Sequence, residues 1–188
     1  DDKMPKRIGF LWEKMIAEDN CIRAEKNIGK NKPDNRMAKH IATNAERYGK
    51  ELCEKLSTDT FEFHENHKST ITDSYKGKTR NLIIPCLEDQ AAMQAWLQIA
   101  TPYIERRNYY YNCGSIPGAG TNRAVKGLQK ILYKHKCKYA VVSDIRHFYE
   151  TCPHLAVIKG LRRIFKDERF IQFADRIMKN MSDGGDVG

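Results

Sequence analysis

Apolar positions recur at helical spacing from the start of the chain: Ile8, Leu11, Trp12, Met15 and Ile16 make a stripe that the polar run Glu18-Asp19-Asn20 closes. This predicts a first amphipathic helix, followed by a basic linker over Lys26 to Lys32. Pro33-Asp34-Asn35 supplies cap chemistry for a second helix carrying Met37, Ile41, Ala45, Tyr48, Leu52 and Leu56. From Thr60 the period changes. Thr60-Phe61-Glu62-Phe63 alternates, Ser69-Thr70-Ile71-Thr72 is β-branched, and a turn at Tyr75-Lys76-Gly77-Lys78 precedes Thr79 to Pro85, which together predict a β-hairpin with a basic tip. Glu88 to Arg107 returns to helical spacing, with Met93, Trp96, Leu97, Ala100 and Ile104 on one face and Pro102 set to kink or restart it. A glycine-rich loop, Cys113 to Thr121, leads into a helix with Ala124, Val125, Leu128 and Leu132 inward. Val141 and Val142 predict a short buried strand ending at Asp144. Two more helices follow, with Leu155, Ile158, Leu161 and Phe165 and then Phe170, Ile171, Ala174, Ile177 and Met178 inward.

The fold class this predicts is α+β: a mainly helical part with a hairpin, then a strand with further helices. The expected divisions are a helical extension (1–59), a hairpin-and-helix unit (60–136) and a third unit (137–188). At 188 residues and 40% hydrophobic content the chain is long enough to bury a core. Its formal charge of +9, from 33 Lys plus Arg against 24 Asp plus Glu, points to a polyanionic partner, with nucleic acid first. With no apolar run of about 18 residues and no signal-peptide pattern, the expectation is a soluble, cytoplasmic protein without a membrane partner. The six cysteines are widely spaced with no CxxC pair, which favours reduced, structural thiols. His64 and His67, three apart with no nearby cysteine in the sequence, are expected to be solvated rather than metal ligands.

Chemistry concentrates in a few places. Asp144 follows a predicted strand, where it serves either as a turn or cap residue or as a metal-binding carboxylate facing a cleft. Lys78 and Arg80, two apart on a strand, project to one side and either grip a phosphate together or guard an exposed edge. Arg106 and Arg107 beside Tyr109-Tyr110-Tyr111 suit single-stranded nucleic acid, and equally a helix end with a partly buried aromatic cluster. The glycine-rich loop is neither a Walker loop nor a dinucleotide fingerprint, because it lacks a closing Gly-Lys-Ser/Thr and a preceding strand with GxGxxG spacing.

Three blocks in order, Gly77-Lys78-Thr79-Arg80 with Ile83-Ile84-Pro85 and Glu88-Asp89-Gln90, Gly114 to Thr121 with Ala124, and Asp144-Ile145-Arg146-His147-Phe148-Tyr149, give the sequence a family resemblance. The chain resembles the fingers and first half of the palm of bacterial reverse transcriptases of the group II intron, phage-associated and diversity-generating types. The resemblance covers roughly residues 60 to 181 and implies an RNA-directed DNA polymerase working by two-metal nucleotidyl transfer with Mg²⁺, deoxynucleoside triphosphates, an RNA template and a DNA or RNA primer. By it, Asp144 and the carbonyl of Ile145 would hold metal. Lys78, Arg80, Arg146, His147 and Phe148 would surround the triphosphate, and Tyr149 would exclude a ribose 2'-hydroxyl. Arg106, Arg107 and the block around Gly118, Gly120 and Arg123 would contact nucleic acid, and a retroelement accessory protein is a further possible partner. Two departures stand out. Ala119 occupies a position where relatives often carry Arg, and the later Tyr-x-Asp-Asp element with its preceding Gly-rich block is missing. The expectation is therefore a catalytically incomplete fragment. The alternatives are a noncatalytic, maturase-like RNA-binding module and a two-metal nuclease pairing Asp144 with Glu150.

Overall fold

A computed structural model describes residues 6–30, 32–72, 77, 79–182 and 185–187, with the side chain of Tyr149 outside that description. The elements run α1 (Trp12–Met15), α2 (Glu18–Ile28), α3 (Arg36–Thr43), α4 (Ala45–Ser57), β1 (His67–Thr72), β2 (Thr79–Ile84), α5 (Leu87–Glu105), α6 (Gly120–His135), α7 (Phe148–Thr151), α8 (His154–Ile164) and α9 (Glu168–Met181). The class is α+β. The strands form an antiparallel pair in which His67 faces Ile84 and Thr72 faces Thr79. No helix among the described residues is long and apolar enough to cross a membrane.

The helical body is built around α5, which packs on α1, α2 and α9, while α2 also packs on α3 and α4. Small side chains make those approaches close. Ala91, Ala92, Ala95 and Ala100 of α5 are buried, and on α4 a Cβ at Gly49 would lie 2.6 Å from the Cα of Ile22. Phe165, Phe170 and Phe173 are fully buried, each contributing roughly 1.5–3 kcal/mol through burial. Trp96 stacks on Phe170 at 5.1 Å between centroids and donates its Nε1–H to the Phe170 carbonyl at 2.9 Å. Asp167 joins the two ends of the body. One oxygen caps α9 by accepting from Phe170 N at 3.2 Å, and the other accepts from the amides of Leu11 (2.8 Å) and Trp12 (2.9 Å).

Several expectations are corrected. The first helix shrinks to one turn because Phe10 adopts a positive φ of 58° and Ile8 instead pairs with the chain after α8, donating to Ile164 O and accepting from Lys166 N. The presumed polar cluster and the first three residues of the presumed linker belong to α2, whose inner stripe of Cys21, Ala24 and Ile28 is disguised by the buried polar residues Asn20 and Glu25. Asn20 satisfies itself there by donating to Met15 O and Ala95 O. Asn35 caps α3 as expected, accepting from Ala38 N, but the predicted second helix breaks at Asn44 into α3 and α4. α5 runs unbroken across Pro102, which forgoes only the bond to the Gln98 carbonyl near the helix end.

The largest corrections concern α6 and the segment after it. Ala124, Val125, Leu128 and Leu132 do not face a core; Val125 is 48% and Leu128 54% exposed. Val141 and Val142 are 94% and 95% exposed, and residues 137–145 form no strand. A strand needs a hydrogen-bonded neighbour to hide its backbone and one face, and no described strand pairs with this one.

Candidate functional site

Residues 106–143, from the end of α5 to the approach to Asp144, carry eight Lys or Arg, five Tyr and no Asp or Glu. Against a net charge of +9 for the whole chain, nearly all the excess positive charge sits in this stretch. It leaves the body as a projecting arm: Tyr109, Tyr110, Tyr133 and Tyr139 are 73%, 64%, 90% and 89% exposed, and every Lys of α6 faces solvent. Arg123 lies over the Tyr110 ring at 4.9 Å and donates to the Tyr110 carbonyl at 3.1 Å, fixing the start of α6 against the tyrosine turn. Gly127 admits the Tyr111 ring, since a Cβ there would meet it at 2.9 Å. Gly118 and Gly120 adopt φ of +76° and +57° with open space around them, so glycine is required by backbone conformation and leaves the loop accessible. Arg106 is exposed. Arg107 donates to the carbonyls of Arg163 (2.7 Å) and Lys6 (3.0 Å), latching the end of α5 to the end of α8 and the N-terminal segment.

Asp144 is exposed, and its Oδ1 accepts from the following amide of Ile145 at 3.0 Å. Ile145 is 64% and Phe148 46% exposed, and Arg146 faces solvent. His147 takes a left-handed conformation (φ 53°) at the start of α7 and pairs with Glu150 through Nδ1 at 2.6 Å. That pair engages Glu150 locally. Two-metal chemistry requires at least two converging oxygen donors. Among the described residues, Asp144 belongs to no group of three or more metal-ligating side chains. Arg80 is exposed on β2 opposite Ile71; Lys78 lies outside the described residues, as does the Tyr149 side chain.

A second constellation sits at the root of the hairpin. His64 Nδ1 is 2.9 Å from Asp89 Oδ1 and 3.4 Å from Cys86 Sγ, while Asp89 Oδ2 accepts from the His64 amide at 3.0 Å. Asp89 is fully buried. On the far side of the ring, His64 Nε2 lies 3.8 Å from Glu88 Oε2, and Glu88 is also held by Lys55. Donating a hydrogen bond to the Asp89 carboxylate raises the His64 pKa, and burial raises that of the Cys86 thiol. Both contacts fall on the same ring nitrogen. The imidazole therefore cannot relay a proton between thiol and carboxylate, and the group is not a Cys-His-Asp nucleophile. His64 is exposed, as expected, but the expectation that it has no cysteine or third ligand nearby is corrected: Cys86 lies 22 positions along the chain, and folding removes that distance. His67 stands in β1 opposite Ile84, apart from the cluster. All six cysteines are free thiols. Cys21 is buried, which pushes its pKa up to about 12.

The chain matches no family model and no curated protein. The carboxylate-free arm was legible as a gap in the Asp and Glu positions between Glu105 and Asp144. The His64, Cys86 and Asp89 group carried no comparable signal, because its members become neighbours only when the hairpin closes.

Proposed function

We propose that this chain is the nucleic-acid-gripping portion of an RNA-directed DNA polymerase. The observation that carries the reading is the arm of residues 106–143, cationic, free of carboxylates and rich in exposed tyrosine, which leads directly into Asp144. Cations along such a surface bind phosphates and release counterions, while tyrosine faces stack on unpaired bases; that combination suits single strands. In this reading Arg106, Arg123 and the open glycine loop at Gly118 and Gly120 follow the template or primer backbone. Arg80 with Lys78 and Arg146 neutralise triphosphate charge. Asp144 is one metal donor, and Tyr149 selects against a 2'-hydroxyl. Mg²⁺ would supply charge neutralisation at the transferred phosphoryl group once a second carboxylate joins Asp144. A retroelement accessory protein is a further partner in this reading.

A noncatalytic RNA-binding role is the second reading, favoured because Asp144 joins no group of three or more metal-ligating side chains among the described residues. Extending the protein through its native reading frame and substituting Asp144→Asn separates the two. Nucleotide incorporation should fall at least about 1,000-fold, about 4 kcal/mol in barrier, while RNA affinity stays within about twofold. Unchanged incorporation removes Asp144 from the chemistry, and an extended wild-type protein that binds RNA without polymerising establishes the second reading.

A further inference from the structure

We infer that His64, Cys86 and Asp89 form a structural zinc site that staples the root of the β-hairpin to the start of α5, a role independent of the nucleic-acid reading. Their ligand atoms lie within 4.8 Å of one another. In tetrahedral zinc sites, bonds of roughly 2.0–2.3 Å put neighbouring N, O and S ligands about 3.3–3.5 Å apart. The Nδ1-to-Sγ separation of 3.4 Å already meets that, and the 2.9 Å Nδ1-to-Oδ1 contact needs to open by a few tenths of an ångström. The donor set is borderline-soft, as zinc prefers, and one thiolate with one carboxylate makes the ion and its ligands neutral together. Neutrality matters because Asp89 is fully buried. Water completes four-coordination.

The surroundings support the same assignment. Asp89 can bind through Oδ1 while Oδ2 keeps the His64 amide. The Asp89 amide points at Cys86 Sγ from 3.5 Å, and Cys86 is the N-cap of the 19-residue α5; a donated N–H and a helix N-terminus both favour a thiolate. With Nδ1 on the metal, the imidazole proton moves to Nε2, which faces Glu88 Oε2 at 3.8 Å, the carboxylate partner that orients a zinc-bound histidine. Where the imidazole is neutral, binding thus releases one proton to solvent, that of the thiol; where it is protonated, the Nδ1 proton leaves as well. The placement gives the site its consequence: His64 lies three residues before β1 and Cys86 two after β2, so one ion clamps both strands of a hairpin that otherwise packs on itself.

The test uses the full 188-residue chain, stripped of metal and titrated with Zn²⁺ and with Co²⁺ as a spectroscopic probe. One equivalent should bind, Co²⁺ should show a thiolate charge-transfer band, and binding should release protons, at least the one from the thiol. Cys86→Ser should abolish the band and weaken Zn²⁺ binding at least 100-fold, whereas Cys113→Ser should change neither. Glu88→Gln should weaken binding about 10-fold or more. His64→Cys, which preserves a ligand, should keep a Co²⁺ band and protects the test against a Cys86 variant that misfolds. A band that survives Cys86→Ser, or the absence of stoichiometric binding in a folded wild-type chain, overturns the site.

Discussion

The helical body and the arm of residues 106–143 use the same amino acids to opposite ends. In the body, alanine, glycine and phenylalanine pack without space: Ala92 and Ala95 are fully buried, and Gly49 lets α4 touch the backbone of α2. In the arm, α6 has as regular an apolar stripe as any body helix, yet Leu128 and Leu132 stay exposed and only Gly127 is buried. Periodicity creates a face that can be buried; burial itself requires a neighbour. Charge divides the same way. Outside the arm the 24 acidic residues are nearly balanced by the basic ones, which allows ion pairs such as Arg162 with Glu168 and Lys55 with Glu88, whereas inside it no carboxylate exists to pair with. A cationic region without carboxylates of its own leaves its charge to an external partner.

The sharpest way to break this contrast is Gly49→Ala. A Cβ meeting backbone at 2.6 Å forces α2 and α4 apart, and urea unfolding should show a loss of about 3 kcal/mol with a normal denaturant slope. A loss below about 0.5 kcal/mol would mean that the two helices do not meet as described. The next effect is opposite in sign. Glu25 is buried in α2, and burial together with the nearby charges of Glu88 and Glu51 pushes its pKa up to about 7. A carboxyl whose folded pKa is raised favours folding fully below its unfolded pKa near 4.5 and loses that contribution as pH rises towards about 7. Glu25→Gln should therefore stabilise the chain by about 2 kcal/mol near pH 8 and flatten the decline of stability between about pH 5 and 8. A wild-type stability that rises over that interval would contradict the assignment. The smallest effect on folding belongs to the arm. Leu128→Gln should move stability by no more than about 0.5 kcal/mol, because the side chain is already in water. Lys126→Ala with Lys130→Ala should leave the melting temperature alone while lowering the salt dependence of single-stranded RNA binding by about 1.4 units of logarithmic slope, about 0.7 for each lysine. A change in melting temperature with no change in slope would place these lysines in the body's interactions instead.

The sequence by itself determined what short range and composition control. The hairpin, the Asn35 cap and the helices carrying Trp96 and Phe170 follow from residue spacing and local hydrogen-bonding chemistry, and the arm's charge is a plain count of side chains. Even there, α2 hid its inner stripe behind Asn20 and Glu25, polar residues whose burial depends on partners from elsewhere in the fold, such as Ala95 O and Gln98 for Asn20. Only the tertiary structure decided which apolar faces are buried. Phe165 and Phe170 have α5 beside them, whereas Val141 and Val142 have no described strand to pair with, and nothing in a run of residues states which neighbours exist. It likewise decided the meeting of His64 with Cys86 and Asp89, because contacts that close a loop of more than twenty residues are fixed by the packing of the loop's two ends and leave no periodic trace between them.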